Sequence, residues 1–237
     1  PVHPSASMIG VDMGIARFLT LSDGTFIEPA SPFKANQAKL ARAQRALARK
    51  VKFSANWHKQ KAKINRLHTR IANLRRDTLH KASTQISNNH AMIVIEDLKV
   101  GNMSRSAKGN VDNPGVSVKA KSGLNRSILD QGWYEFRRQL EYKQAIRGGE
   151  VLVVPAHHTS QTCPRCQHVS PENRTSQARF RCVQCGFEEH ADRVGAINIK
   201  ARGHRVLACG ESGLPDSEKQ EPVRNREEIA PSAAHAA

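Results

Sequence analysis

Short apolar blocks and longer stretches of helical period divide this chain. Met8-Ile9-Gly10-Val11-Asp12 reads as a buried strand ending in a carboxylate. After a turn at Met13-Gly14-Ile15, Arg17-Phe18-Leu19-Thr20-Leu21 reads as a second strand. Asp23-Gly24 is a hairpin signal leading into a third, Thr25-Phe26-Ile27-Glu28. From Pro32, a residue suited to a helix start, the period changes to three and four: Leu40 and Leu47, then Ile64, Leu67, Ile71, Leu74 and Thr78. The phase is lost around 51–56, where β-branched, aromatic, Ser and Asn residues gather. The spacing therefore predicts two helices, over 33–50 and 57–82, folded back as a hairpin.

Ala91-Met92-Ile93-Val94-Ile95-Glu96-Asp97-Leu98 predicts a central strand, because its large apolar residues run consecutively before two acids. Residues 101–123, rich in Gly, Ser, Asn and Lys, read as a long flexible loop. Over 125–146 an amphipathic helix is expected, with Ile128, Leu129, Trp133, Phe136 and Leu140 on one face and Gly148-Gly149 as its stop. Val151-Leu152-Val153-Val154 is another buried strand, and 160–187 a cysteine-bearing loop. A last helix is expected over 191–202 with Gly203 past its end. From His204 there is no periodicity, so 204–237 reads as a disordered tail. Strands interleaved with helices give an α/β class with a mixed sheet. No apolar run approaches the roughly 18 residues that span a bilayer, and no signal pattern opens the chain.

The charge changes this picture at one place. The 237 residues carry a formal +16, which argues for a polyanionic partner. Fifteen bases against one acid, Asp77, lie within 34–81, so this stretch alone holds +14. Solvated helix faces usually mix signs, because like charges at helical spacing repel. The excess on Arg42, Arg45, Arg49, Lys50, Lys52, Lys59, Lys61, Lys63, Arg66 and Arg70 therefore points to nucleic-acid contact through phosphates. Trp57 reads as the packing residue of this hairpin, with stacking on a base as the other possibility.

Cys163-Pro164-Arg165-Cys166 and Cys182-Val183-Gln184-Cys185 are fifteen residues apart. Two CxxC pairs at that spacing make a zinc ribbon, and four thiolates (Cys163, Cys166, Cys182, Cys185) close a tetrahedral shell with no open position. The site reads as structural zinc. Gly186 suits the knuckle backbone. Four of five cysteines in such pairs make a reduced, cytoplasmic setting the expectation rather than a secreted disulfide framework. Cys209 has no partner and reads as a free thiol.

Three acids stand at element ends. Asp12 closes the first strand, Glu96 or Asp97 ends the central strand, and Asp192 opens the last helix. Brought to one sheet edge, three carboxylates could hold two divalent ions about 4 Å apart, the arrangement for in-line phosphodiester hydrolysis. Mg²⁺ or Mn²⁺ suits such oxygen ligands. Each acid alone has a plainer reading: a turn, a solvated strand end, a helix cap. Alternation sends Glu96 and Asp97 to opposite faces, so at most one belongs to such a site, and the pattern does not say which.

Taken in order, these elements resemble the OrfB/TnpB family of insertion-sequence transposon proteins, relatives of the type V CRISPR effectors. Ile9-Gly10-Val11-Asp12-Met13-Gly14 is similar to the family's first RuvC motif, Ile93-Val94-Ile95-Glu96-Asp97-Leu98 to the second, and Ala191-Asp192-Arg193-Val194-Gly195-Ala196-Ile197-Asn198-Ile199 to the third. The ribbon opens with Thr159-Ser160-Gln161-Thr162-Cys163-Pro164-Arg165-Cys166. Lys121-Ser122-Gly123-Leu124-Asn125-Arg126-Ser127-Ile128 and Ala208-Cys209-Gly210-Glu211 also match. The resemblance runs from about residue 8 to 211. It implies Asp12, Glu96 and Asp192 as the catalytic, magnesium-binding triad and leaves Asp97 out. It implies an RNase H-like (RuvC-like) fold spanning 1–203, with the basic helical hairpin inserted at 33–82 and the zinc ribbon at 158–187.

The activity so implied is guide-RNA-directed cleavage of DNA by a metal-dependent endonuclease, with DNA and guide RNA as partners and no membrane. Many members have Asn two positions after the third acid, where this chain has Val194; Asn198 is retained. Full members carry about half their length before the first RuvC motif, so the chain is expected to be the nuclease half, from a truncated sequence or a decayed element. The other function class consistent with the residues is a catalytically inactive DNA- or RNA-binding remnant, in which hairpin and ribbon hold nucleic acid and the acids are vestigial.

Overall fold

The computed structural model describes residues 1–209. Its first three strands, β1 (Met8–Met13), β2 (Leu19–Leu21) and β3 (Phe26–Ile27), form an antiparallel meander. Two more, β4 (Met92–Glu96) and β5 (Glu150–Val154), add in parallel on the other side of β1, so the mixed sheet has the order β3-β2-β1-β4-β5. Strand alternation then divides the sheet's side chains between two layers. Ile9, Val11, Ile93 and Ile95 face a core made with α2 (Ala55–Asn89), α4 (Val118–Gln131) and α5 (Trp133–Arg147), which contribute Leu79, Ala82, Ile86, Ile128, Trp133, Phe136 and Leu140. Val94 and Val154 face the opposite way, against Ile199 of α6 (Ala191–Cys209). The Phe18 and Phe136 rings meet edge to face at 5.2 Å in the first core.

The helical hairpin consists of α1 (Pro32–Ala48) and α2. At 35 residues α2 is about 50 Å long at 1.5 Å per residue, and it continues to Asn89 rather than ending near 82. Its second half packs on the sheet through Leu79, Ala82 and Ile86, and it also packs along α1, with Ile64 and Ile71 of α2 and Leu40 of α1 buried. The Gln60 amide donates to the carbonyl of Ala43 across the pair. Ser54 caps α2 by accepting from the Trp57 N–H. The start of α1 is secured from elsewhere, because Ser31 has a left-handed backbone and makes no side-chain cap. The carboxylate of Asp130 in α4 accepts from the Phe33 and Lys34 N–H groups at 3.0–3.1 Å and pairs with Arg75 of α2 at 2.8 Å.

Three expectations are corrected. The single helix over 125–146 is two helices: α4 and α5 break at Gly132, whose φ is +75°, and a Cβ there would press on Arg75 and Leu79. The break resets the helical phase, so Leu129 is exposed while Ile128 and Trp133 are buried. The long loop over 101–123 is shorter than expected, because the helical turn α3 (Val100–Met103) enters it and α4 begins at Val118. Gly203 does not end the last helix. It is buried against Val94, where a Cβ would lie 2.6 Å from a valine methyl, and α6 runs on to Cys209. Residues 204–209 of the expected tail are therefore helical, and the remainder of that tail, with Gly210-Glu211, lies outside the described residues.

Candidate functional site

β1 and β4 run parallel with Val11 opposite Ile95, so the next residues, Asp12 and Glu96, stand at the same carboxyl end of neighbouring strands. α6 crosses that face closely. A Cβ on Gly10 would lie 2.2 Å from the Ala196 carbonyl oxygen, so only glycine lets the helix backbone rest on β1. A Cβ on Gly195 would lie 3.2 Å from Oδ2 of Asp12, so the first turns of α6 sit directly over that carboxylate. Asp192 is the second residue of this helix. Alternation puts Glu96 on the α6 side with Val94. The carboxylate of Asp97 instead pairs with Lys99 at 2.6 Å and with Arg137 of α5 at 3.3 Å, towards the other layer.

Charge repulsion links the three acids. Burial pushes the Asp12 carboxyl up to about 7, and the negative charges of Glu96 and Asp192 add to the rise while Arg174 opposes it. Burial also raises Glu96, against a hydrogen bond from the Thr159 hydroxyl and the nearby charge of Arg202. Asp192 lies 4.0 Å from the Arg174 guanidinium, and its backbone N–H donates to His190 Nδ1. Among the described residues, the cysteines alone gather three or more potential ligand atoms all within 4.8 Å of one another. The oxygen atoms of Asp12, Glu96 and Asp192 do not all come within that spacing.

Residues that the motif reading left without a role hold this arrangement. The Asn198 amide of α6 donates to the Thr159 and Thr162 carbonyls, both at 2.7 Å. One turn on, Arg202 donates to the Pro155 and His157 carbonyls. Together they tether the segment after β5 so that Thr159 meets Glu96. Arg174 comes from within the cysteine-bearing segment. No local spacing marks either Thr159 or Arg174; the one sequence signal is that Thr159 opens the run leading to Cys163.

The four cysteines converge. Cys163 and Cys185 sulfurs are 3.7 Å apart and Cys166 and Cys182 sulfurs 3.5 Å. A tetrahedron of sulfurs at zinc's usual 2.3 Å bond has edges of about 3.8 Å, so the set fits a four-thiolate ion. In each knuckle a left-handed residue follows the second cysteine, Gln167 in one and Gly186 in the other, and its N–H returns to the first cysteine's carbonyl. Strands β6 (Arg179–Arg181) and β7 (Glu188–His190) pair antiparallel, and β7 leads directly into α6. Phe180, Cys163 and Cys182 share a buried cluster with Ala191 and Val194. Val194, fully buried there, thus packs the cysteine segment onto the helix that carries Asp192.

All ten basic residues singled out on the hairpin are exposed, and among the described residues none of them forms a salt bridge. No helix among the described residues is long and apolar enough to cross a membrane.

Two family matches cover most of this architecture. OrfB_IS605, described as a probable transposase, matches residues 1–107, and the Cas12f1-like TNB domain matches 133–199. The chain is also 65% identical over 226 residues to "Putative RNA-guided DNA endonuclease InsQ" of Escherichia coli (strain K12), across 94% of this chain and 56% of that protein. The chain belongs to the OrfB/TnpB family. "Putative RNA-guided DNA endonuclease" of Streptomyces pristinaespiralis is 35% identical over 234 residues, 94% of this chain and 54% of its own length. The chain therefore spans little more than half the length of these two relatives. Its fold is similar to that of Cas12f1 in a complex with sgRNA and target DNA, with a TM-score of 0.55 at 21% identity over 81% of this chain and 49% of the other.

Proposed function

We propose that this chain is the nuclease portion of a transposon-encoded, RNA-guided DNA endonuclease, with an RNase H-like (RuvC-like) sheet presenting Asp12, Glu96 and Asp192 as its catalytic carboxylates. The observation that carries this reading is the convergence of one acid from β1, one from β4 and one from α6 towards one sheet edge, with Asp12 raised by burial first and then by the charges of the other two. Mg²⁺ or Mn²⁺ held by these three would supply Lewis-acid activation of water and stabilise the leaving oxygen of a DNA phosphodiester. The chain's own groups prepare the site. Thr159 fixes Glu96, and α6 sets Asp192 against β1. Arg174, beside Asp192, is placed to meet a phosphate oxygen with its guanidinium.

The four thiolates would hold a structural zinc, since a closed tetrahedral shell leaves no position for water. A reducing cytoplasm keeps them available for it. The unpaired cations of the hairpin would neutralise phosphates of DNA or of a guide RNA without reading sequence.

The decisive experiment incubates the chain with single-stranded DNA and Mg²⁺ or Mn²⁺, beside Asp12→Ala. Cleavage by the wild type and its loss in the variant are expected. Equal cleavage by both overturns the carboxylate assignment, and cleavage by neither leaves this chain a nucleic-acid-binding part without activity of its own.

A further inference from the structure

The turn between α1 and α2 carries an aromatic ring into solvent. Phe53 has a φ of +68°, a left-handed backbone that costs a bulky residue on the order of 1–3 kcal/mol and glycine almost nothing. The turn itself is held by backbone bonds, Lys50 N–H to the Leu47 carbonyl and Ser54 N–H to the Val51 carbonyl, so its shape does not need a ring at this position. Burial does not account for the ring either: Phe53 is 66% exposed and Val51 beside it 79% exposed. Its one aromatic neighbour is Trp57, with ring centroids 5.3 Å apart. The ammonium of Lys52 lies 5.0 Å from the Phe53 ring and that of Lys61 5.0 Å from Trp57.

We propose that Phe53 is a stacking platform for an unpaired nucleobase, supported from behind by Trp57, with the surrounding lysines neutralising the phosphates on either side. The proposal rests on the nucleic-acid reading of the hairpin and adds to it a contact with a base. A single strand offers free base faces, and stacking on an aromatic ring is indifferent to base identity. A stacked duplex would first have to be opened, at a cost of a few kcal/mol per step. An acidic lipid surface could also receive a ring flanked by lysines. The exposed cations, however, continue from the tip back along both helices to Arg42 and Arg70, which matches a running phosphate backbone better than a tip dipping into headgroups.

The test measures binding of the whole chain, by fluorescence anisotropy, to labelled oligothymidine, oligouridine and a duplex of equal length at low and moderate salt. Phe53→Gly removes both ring and strain, so it is expected to fold at least as well as the wild type, which thermal melting checks. Its affinity for single strands is expected to fall about fivefold or more, with an unchanged salt slope and little change on the duplex. Phe53→Trp is expected to retain binding, and Lys52→Ala to lower the salt slope. A loss in the thymidine arm, the uridine arm or both supports the platform and names the strand it serves. Wild-type affinity in Phe53→Gly, with salt-dependent binding intact, overturns the platform alone. Absent or salt-insensitive binding by the wild type overturns the hairpin reading with it. Stronger binding to phosphatidylglycerol vesicles than to any oligonucleotide assigns the tip to lipid and overturns the proposal.

Discussion

Glu96 and Asp97 are chemically alike and adjacent, yet they serve opposite layers. Glu96 receives the Thr159 hydroxyl on the α6 side, and Asp97 is neutralised by Lys99 and Arg137. Replacing the hydroxyl by a methyl leaves a largely buried carboxylate short of a donor. Thr159→Val is therefore expected to lower stability by about 1–3 kcal/mol, read as a shift of the urea midpoint at constant m-value. Asp12→Asn has the opposite sign in the metal-free chain. Above about pH 7, where the Asp12 carboxyl is ionised, it removes a charge disfavoured by burial and by two other carboxylates, so the thermal midpoint is expected to rise there, with little gain at lower pH, while any cleavage is lost. The parity of the two acids was legible in the sequence; which parity faced α6 was not, because that depends on which side of the sheet the helix crosses.

Among elements, Asp130 ties three helices at one point, since its carboxylate accepts from the start of α1 and pairs with Arg75 of α2 while belonging to α4. Truncating it leaves the Phe33 and Lys34 N–H donors unpaired and reduces Arg75 to its bond with the backbone carbonyl of residue 130. Asp130→Ala is expected to cost about 3 kcal/mol, with faster hydrogen exchange at the Phe33 and Lys34 amides. Gly10 governs another junction. Any Cβ there collides with helix backbone rather than a flexible side chain, so Gly10→Ala is expected to displace α6 and expose it to proteolysis, carrying Asp192 away from Asp12. The five strands of the main sheet and the hairpin were legible from apolar runs, turn signals and period, whereas β6 and β7 were missed because the region around 160–187 read as a cysteine-bearing loop. The break at Gly132 was hidden because apolar spacing runs on across it. The passage of α6 through Gly203 was missed because a glycine required by close packing looks, locally, like a helix stop.

At the scale of the molecule, the chain combines a cationic hairpin, a cysteine centre and a sheet edge that carries acids. If the thiolates hold zinc, metal analysis will find one ion per chain. Chelation is expected to loosen β6, β7 and the start of α6 while the five-stranded sheet keeps its exchange protection, because Phe180 and Val194 belong to the cysteine cluster and the sheet core does not. The residue order alone determined what depends on neighbours in sequence: the paired CxxC knuckles, the alternation of the strands, the helical periods and the concentration of charge in 34–81. Only the tertiary structure decided that Asp12, Glu96 and Asp192 share an edge, that Arg174 and Thr159 stand beside them, and that Asp97 does not. Those outcomes follow from the parallel register of β1 with β4 and from α6 lying on the bare backbone at Gly10. Both are contacts between segments more than eighty residues apart, which no local spacing encodes.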